Sequence, residues 1–124
     1  MEEHTRADLK AALDELGLVP ETAAPLLDVK PSTLRGWYGK GAYAPAPQRV
    51  WDGIDRLRDL QEDEAMRLAS DAEAGFNLAY FRDQGQSDAR WGDGLPYRFH
   101  NMAAAKAARD LRRKGVGYRF RYPD

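Results

Sequence analysis

Between Lys30 and Tyr43 the chain gathers side chains suited to recognising nucleic acid: Lys30, Ser32, Thr33, Arg35, Tyr38, Lys40 and Tyr43. An arginine can form paired hydrogen bonds to guanine O6 and N7, and hydroxyls can bond phosphates or base edges. Lys40 falls past the end of the helix that would carry the others, where a chain meets the phosphate backbone. The bland role for Lys30, Arg35 and Lys40 is solvated surface charge. Acid–base chemistry has less to draw on, since His4 and His100 are the only histidines. His4 sits at a terminus expected to fray, and His100 lacks a recognisable partner spacing. The sharpest enzymatic alternative is a small metal-independent ribonuclease built on His100, Arg98 and Tyr97. The acidic runs Glu62, Asp63, Glu64 and Asp71, Glu73 fall at helical positions expected to face water. No cysteine is present, which excludes disulfides and thiolate metal sites. The expectation is a chain that is not an enzyme and uses no cofactor or metal.

To present that set, the chain needs two short helices meeting at a tight turn. Leu18, Ala23, Ala24 and Leu27 form the inner face of the first, while Val29 plugs the turn and Leu34 and Trp37 line the second. This is the apolar spacing of a helix-turn-helix. Ala24 is small where the second helix must pass closely. Pro31 sets the chain direction, and Ser32 is expected to cap the second helix with its hydroxyl. Trp37 is expected in the core. A preceding helix from Thr5 or Arg6 to Leu16 carries Leu9, Leu13 and Leu16 on one face and stops at Gly17. Beyond the GAYAPAP loop, residues 41–47, a long helix runs from Gln48 to about Glu73. Val50, Trp51, Ile54, Leu57, Leu60, Leu68 and Ala69 mark its apolar side.

Leu18, Ala24, Leu27, Val29, Thr33, Leu34 and Trp37, with STLRGWYGKG and then Pro47, carry a family likeness. The segment resembles the phage repressor and Cro family of helix-turn-helix regulators, without a gap over about twenty residues. The resemblance implies a sequence-specific transcriptional repressor, a homodimer that reads an inverted repeat in double-stranded DNA through a recognition helix at about residues 32–39. The lack of a membrane-spanning run or signal-peptide layout makes a cytoplasmic location the expectation. Two positions depart from the pattern. Asp28 stands where the family places Gly and must take the left-handed conformation. Gly36 stands where a base-contacting side chain is common, so direct readout should be thinner. In architecture the chain also looks like the narrower group of anti-CRISPR-associated repressors, which join such a unit to a mixed helix-and-strand dimerisation module.

The C-terminal part changes period. FNLAYF (76–81) and VGYRFRY (116–122) alternate as strands do, and LPYRF is a short extended piece. Residues 83–94 read as loop by their Gly, Asp and Ser content. NMAAAKAARDLRRKG reads as one helix with Asn101 as N-cap and Gly115 as stop. So few strands bury little alone, and a second copy is the natural remedy. The fold expected is mostly α with a small α+β C-terminal part. A helix-turn-helix bundle over 1–60 is followed, over 61–124, by the rest of a linking helix and a dimerisation module of two or three strands and one helix.

Net charge is −1 from 19 basic and 20 acidic residues, which argues mildly against nucleic acid. The distribution is uneven: residues 76–124 hold ten Lys/Arg and five Asp/Glu. YRFRY alternates rings that could stack on bases with guanidiniums that could hold phosphates, making the tail a candidate RNA contact. An edge strand with one buried face looks the same, and RDLRRKG is equally a cation-rich helix end. No apolar run approaches the ~18 residues that span a bilayer, and the N-terminus lacks a signal-peptide layout, so no membrane partner is expected. The other functional class left open is a protein-interaction adaptor or antitoxin-like factor that uses the helical domain as a docking surface.

Overall fold

Thr5 opens the first helix. Its hydroxyl accepts from the Asp8 N–H at 3.0 Å while the Asp8 carboxylate accepts from the Thr5 N–H at 2.7 Å, so two backbone donors find partners. The computed structural model describes residues 4–39 and 45–123. Within them the protein is mostly helical, with a small parallel two-stranded sheet near the C-terminus. The order is α1 (Arg6–Glu15), α2 (Pro20–Leu27), α3 (Pro31–Tyr38), α4 (Gln48–Glu73), β1 (Leu78–Ala79), α5 (Gln84–Arg90), α6 (Tyr97–Arg113) and β2 (Phe120–Arg121). Two compact units divide the chain, Met1–Arg58 and Asp59–Asp124, and α4 contributes residues to both.

In the first unit, the apolar stripes read from the sequence are buried together. Leu9, Leu13, Leu16, Leu18, Ala23, Ala24, Leu27, Leu34, Val50, Trp51, Ile54 and Leu57 form its core. Ala23 and Ala24 are fully enclosed, and α3 packs on both α1 and α2. Gly53 of α4 serves the same closeness, since a Cβ there would come within 2.8 Å of the Leu27 Cδ2 methyl. The α2 helix ends at Asp28, whose φ of 56° and ψ of 49° are left-handed, while the Val29 N–H reaches back to the Ala24 carbonyl at 3.0 Å. Gly17 closes α1 in the same way, with the Leu18 N–H on the Leu13 carbonyl at 2.9 Å. Two expectations are corrected here. Ser32 does not cap α3; the cap residue is Lys30, with Pro31 in the first turn, so the Ser32 side chain is left exposed. Trp37 is only half-buried, because Leu34 supplies the inward contact of α3 and Trp51 of α4 is the tryptophan that fills this core. His4 lies stacked on that ring, with centroids 3.7 Å apart.

The second unit is built around α6. Ala69 and Ala72 of α4, Leu78 of β1 and Ala107, Ala108 and Leu111 of α6 form one buried cluster, with Leu68, Val116 and Tyr118 packed against it. In the sheet, Leu78 pairs with Phe120 and Ala79 with Arg121, and the Leu78 and Tyr80 N–H groups donate to the Arg119 and Arg121 carbonyls at 2.8 and 3.0 Å. The strands are shorter than the alternation over 76–81 and 116–122 suggests, for identifiable reasons. Phe76 belongs to the closure of α4, its N–H on the Asp71 carbonyl, and Val116 to that of α6, its N–H on the Leu111 carbonyl. Phe81 cannot extend the ladder because the Asn101 side chain takes both its N–H (2.8 Å) and its carbonyl (2.9 Å).

Asn101 is therefore not a helix cap. The α6 helix begins four residues earlier, at Tyr97 after Pro96, so LPYRF is not extended beyond Pro96. Nor are residues 83–94 all loop. Asp83 caps α5 by accepting from the Gln86 N–H at 2.9 Å, and Gln84 fixes the helix to the next turn through the Leu95 carbonyl and the Tyr97 N–H. The second unit thus holds α5 and α6 beside the distal part of α4, not a single helix.

Candidate nucleic-acid interface

The α3 helix has one inward anchor and a broad outward face. Leu34 is fully buried, whereas Ser32, Thr33, Arg35 and Gly36 are exposed and Tyr38 is half-buried. At Gly36 nothing lies within 4 Å of where a Cβ would stand, so the helix backbone there is open to any approaching surface. Lys30 is exposed at the cap position, and no side chain caps the α3 N-terminus. Lys40 and Tyr43 lie outside the described residues.

Three arginines are tied into this unit by interactions no local pattern announces. Arg35 pairs with Glu21 in the first turn of α2, both side chains about half exposed. Arg49 of α4 donates through Nη1 to the Leu27 carbonyl at 3.1 Å, placing a cation at the negative end of α2. Arg6 of α1 reaches the Gly39 carbonyl, just past α3, at 3.5 Å. The first holds the outward arginine across the two helices, and the other two secure the helix ends.

In the second unit, His100 has partners that its sequence surroundings do not reveal. Its Nδ1 lies 2.6 Å from Glu64 Oε1 of α4, and its Nε2 lies 3.1 Å from Asp93 Oδ2 in the loop before α6. Trp91 stacks on the ring with centroids 4.9 Å apart, and Phe81 and Phe99 meet it edge-on. Two carboxylates facing the two ring nitrogens favour the doubly protonated imidazolium. Burial alone would lower its pKa, but the hydrogen bonds and charges of Glu64 and Asp93 outweigh burial and hold it above the ordinary 6.5. With 1% of its side chain exposed, His100 cannot meet an RNA backbone as the ribonuclease alternative requires. Arg98 instead donates to the hydroxyl of its neighbour Tyr97 at 3.2 Å.

No protein-family model matches the chain, and no curated protein sequence matches it. Among the described residues no group of three His, Asp or Glu side chains is placed to hold a metal ion. No helix there is long and apolar enough to cross a membrane.

Proposed function

We propose that α2 and α3 act as a helix-turn-helix and that the protein is a dimeric transcriptional repressor which reads an inverted repeat in double-stranded DNA with α3. The observation that carries this reading is the outward face of α3. Ser32, Thr33 and Arg35 stand exposed beside the bare backbone of Gly36, on a short helix fixed from behind by Leu34 and by the alanines of α2. A helix of this kind enters a major groove with its N-terminal turns against the base edges. Exposed Leu60, Met66 and Phe76 in the second unit supply apolar surface for a second copy, which would set the spacing of two half-sites.

The test is fluorescence anisotropy of the full chain with the duplex upstream of its own gene, against random duplex of equal length. Binding of the first, competed poorly by the second, is expected. An absence of binding below micromolar concentration at low salt overturns the reading and leaves the helical unit as a protein-docking surface.

A further inference from the structure

An aromatic groove runs along the second unit, between α6 and the two strands. It encloses about 490 Å³ and is lined by Tyr80, Ala105, Ala108, Arg112, Phe120, Arg121 and Tyr122. If 116–122 were an edge strand with one buried face, its rings would be covered. Instead, of those rings only Tyr118 packs against the buried cluster, Phe120 and Tyr122 are 44% and 47% exposed, and Tyr80 from the neighbouring segment is 39% exposed. The rings are nonetheless held: Tyr80 and Phe120 meet edge to face at 5.4 Å, Tyr118 and Phe120 at 5.7 Å, and the Arg82 guanidinium lies 4.2 Å above the Tyr122 ring. Arg112 is steadied by donating to the Tyr118 hydroxyl at 2.6 Å. Ala105 and Ala108 present only methyl groups on the α6 side, which leaves room for a flat ring.

We infer that this groove binds single-stranded nucleic acid, with unstacked bases against Tyr80, Phe120 and Tyr122 and the phosphates against Arg112 and Arg121. Two observations select that occupant. Among the described residues no acidic side chain lines the groove, and the segment that builds it, residues 76–124, carries ten Lys/Arg against five Asp/Glu, which suits a polyanion. The apolar surface consists of partly exposed rings, 39–47% open to solvent, the kind of surface on which bases of any sequence stack. A duplex keeps its bases stacked inside and cannot offer them to such a groove. The site is therefore separate in ligand and in residues from the duplex-reading face of α3.

The experiment measures anisotropy of a labelled oligo(dT) and a labelled oligo(U), each about 12 nucleotides long, titrated with the full chain, beside a duplex of equal length. Wild-type protein is expected to bind at least one single strand more tightly than the random duplex. Phe120→Ala and Tyr122→Ala should each weaken that binding by at least about fivefold, the lower end of what one stacked base contributes. Arg121→Gln should lower the slope of log affinity against log salt by about 0.7, the value for one phosphate contact on a single strand. All three positions are exposed, so melting curves should move only by the loss of ring contacts at Phe120 and Tyr122. Single-strand binding that is absent at micromolar protein and low salt, or unchanged in all three variants, overturns the inference. So does conversion of a dimer to a monomer by Phe120→Ala or Tyr122→Ala in light scattering, which would make the groove the seat of a second copy.

Discussion

Under the proposed duplex-binding function, two partners would compete for Arg35. In the free protein Glu21 holds it, but an exposed ion pair contributes only about 0–1 kcal/mol, whereas a bidentate arginine–guanine contact discriminates by about 1–3 kcal/mol. Operator DNA should therefore win the exchange, with Glu21 as a modest brake. Arg35→Ala is expected to cost about 1–3 kcal/mol on the specific duplex and little on random duplex. Glu21→Gln should strengthen binding to both, because it frees the arginine and removes a negative charge near the phosphates. Anisotropy titrations check both, and an equal loss on both duplexes in Arg35→Ala would make Arg35 a phosphate contact. His100 supports a second prediction at this scale. Its folded pKa is raised, so its ionic contribution to stability is fully present below about 6.5, the unfolded value, and is lost as pH rises through the folded one. Above that point Glu64 is left buried beside a neutral ring. The melting-temperature advantage of the wild type over His100→Gln should accordingly be larger at pH 6 than at pH 9. An advantage that is flat, or that grows with pH, would show that the ring is held neutral.

Among the elements, the turn between α2 and α3 carries a measurable strain. Asp28 adopts the left-handed conformation that Gly17 and Gly115 adopt at the ends of α1 and α6, and a Cβ makes that conformation unfavourable. Asp28→Gly should raise the stability of the first unit by a few tenths to about 1 kcal/mol, the strain relieved being partly offset by a looser unfolded chain. Thermal melting should move up by a few degrees; a fall would mean that the Asp28 side chain contributes more than its backbone costs. This turn was legible in the sequence, as were α1 and the whole of α4, because each rests on local signals: apolar period, caps and left-handed stops. What escaped the sequence rests on side chains reaching far along the chain. Residues 84–90 have no apolar period, and α5 is held by Asp83 and Gln84 bonding to backbone. Asn101 looks like a cap but serves Phe81, twenty residues away, and that contact is what stops β1. On the candidate interface, the outward positions of α3 followed from the period around Leu34. The Glu21 pairing of Arg35 did not, since two half-exposed side chains on separate helices leave no trace in a hydrophobic pattern.

For the molecule as a whole, charge constrains how the proposed duplex binding would work. At net −1, with Asp52, Asp55, Asp59, Glu62 and Asp63 exposed along α4, the protein has little of the general attraction that gives basic DNA-binding domains their nonspecific affinity. A single α3, short and without a side chain at Gly36, would offer few direct base contacts. On that proposal, tight binding would need two copies engaging two half-sites at once, which can multiply affinity by roughly 10²–10⁴ without any new contact. The surface available for pairing includes Leu60 and Met66 on α4, 53% and 62% exposed. Leu60→Glu combined with Met66→Glu should therefore yield a monomer at tens of micromolar in sedimentation experiments. Helical circular dichroism should be unchanged, because neither side chain belongs to the buried cores. The same variant should lose at least about 10²-fold in affinity for a two-half-site duplex and almost nothing for a single half-site. A double variant that remains dimeric would move the interface to another part of the second unit. A monomer that still holds the full site as tightly as the wild type would show that one copy of α3 suffices, and that symmetry plays no part in recognition.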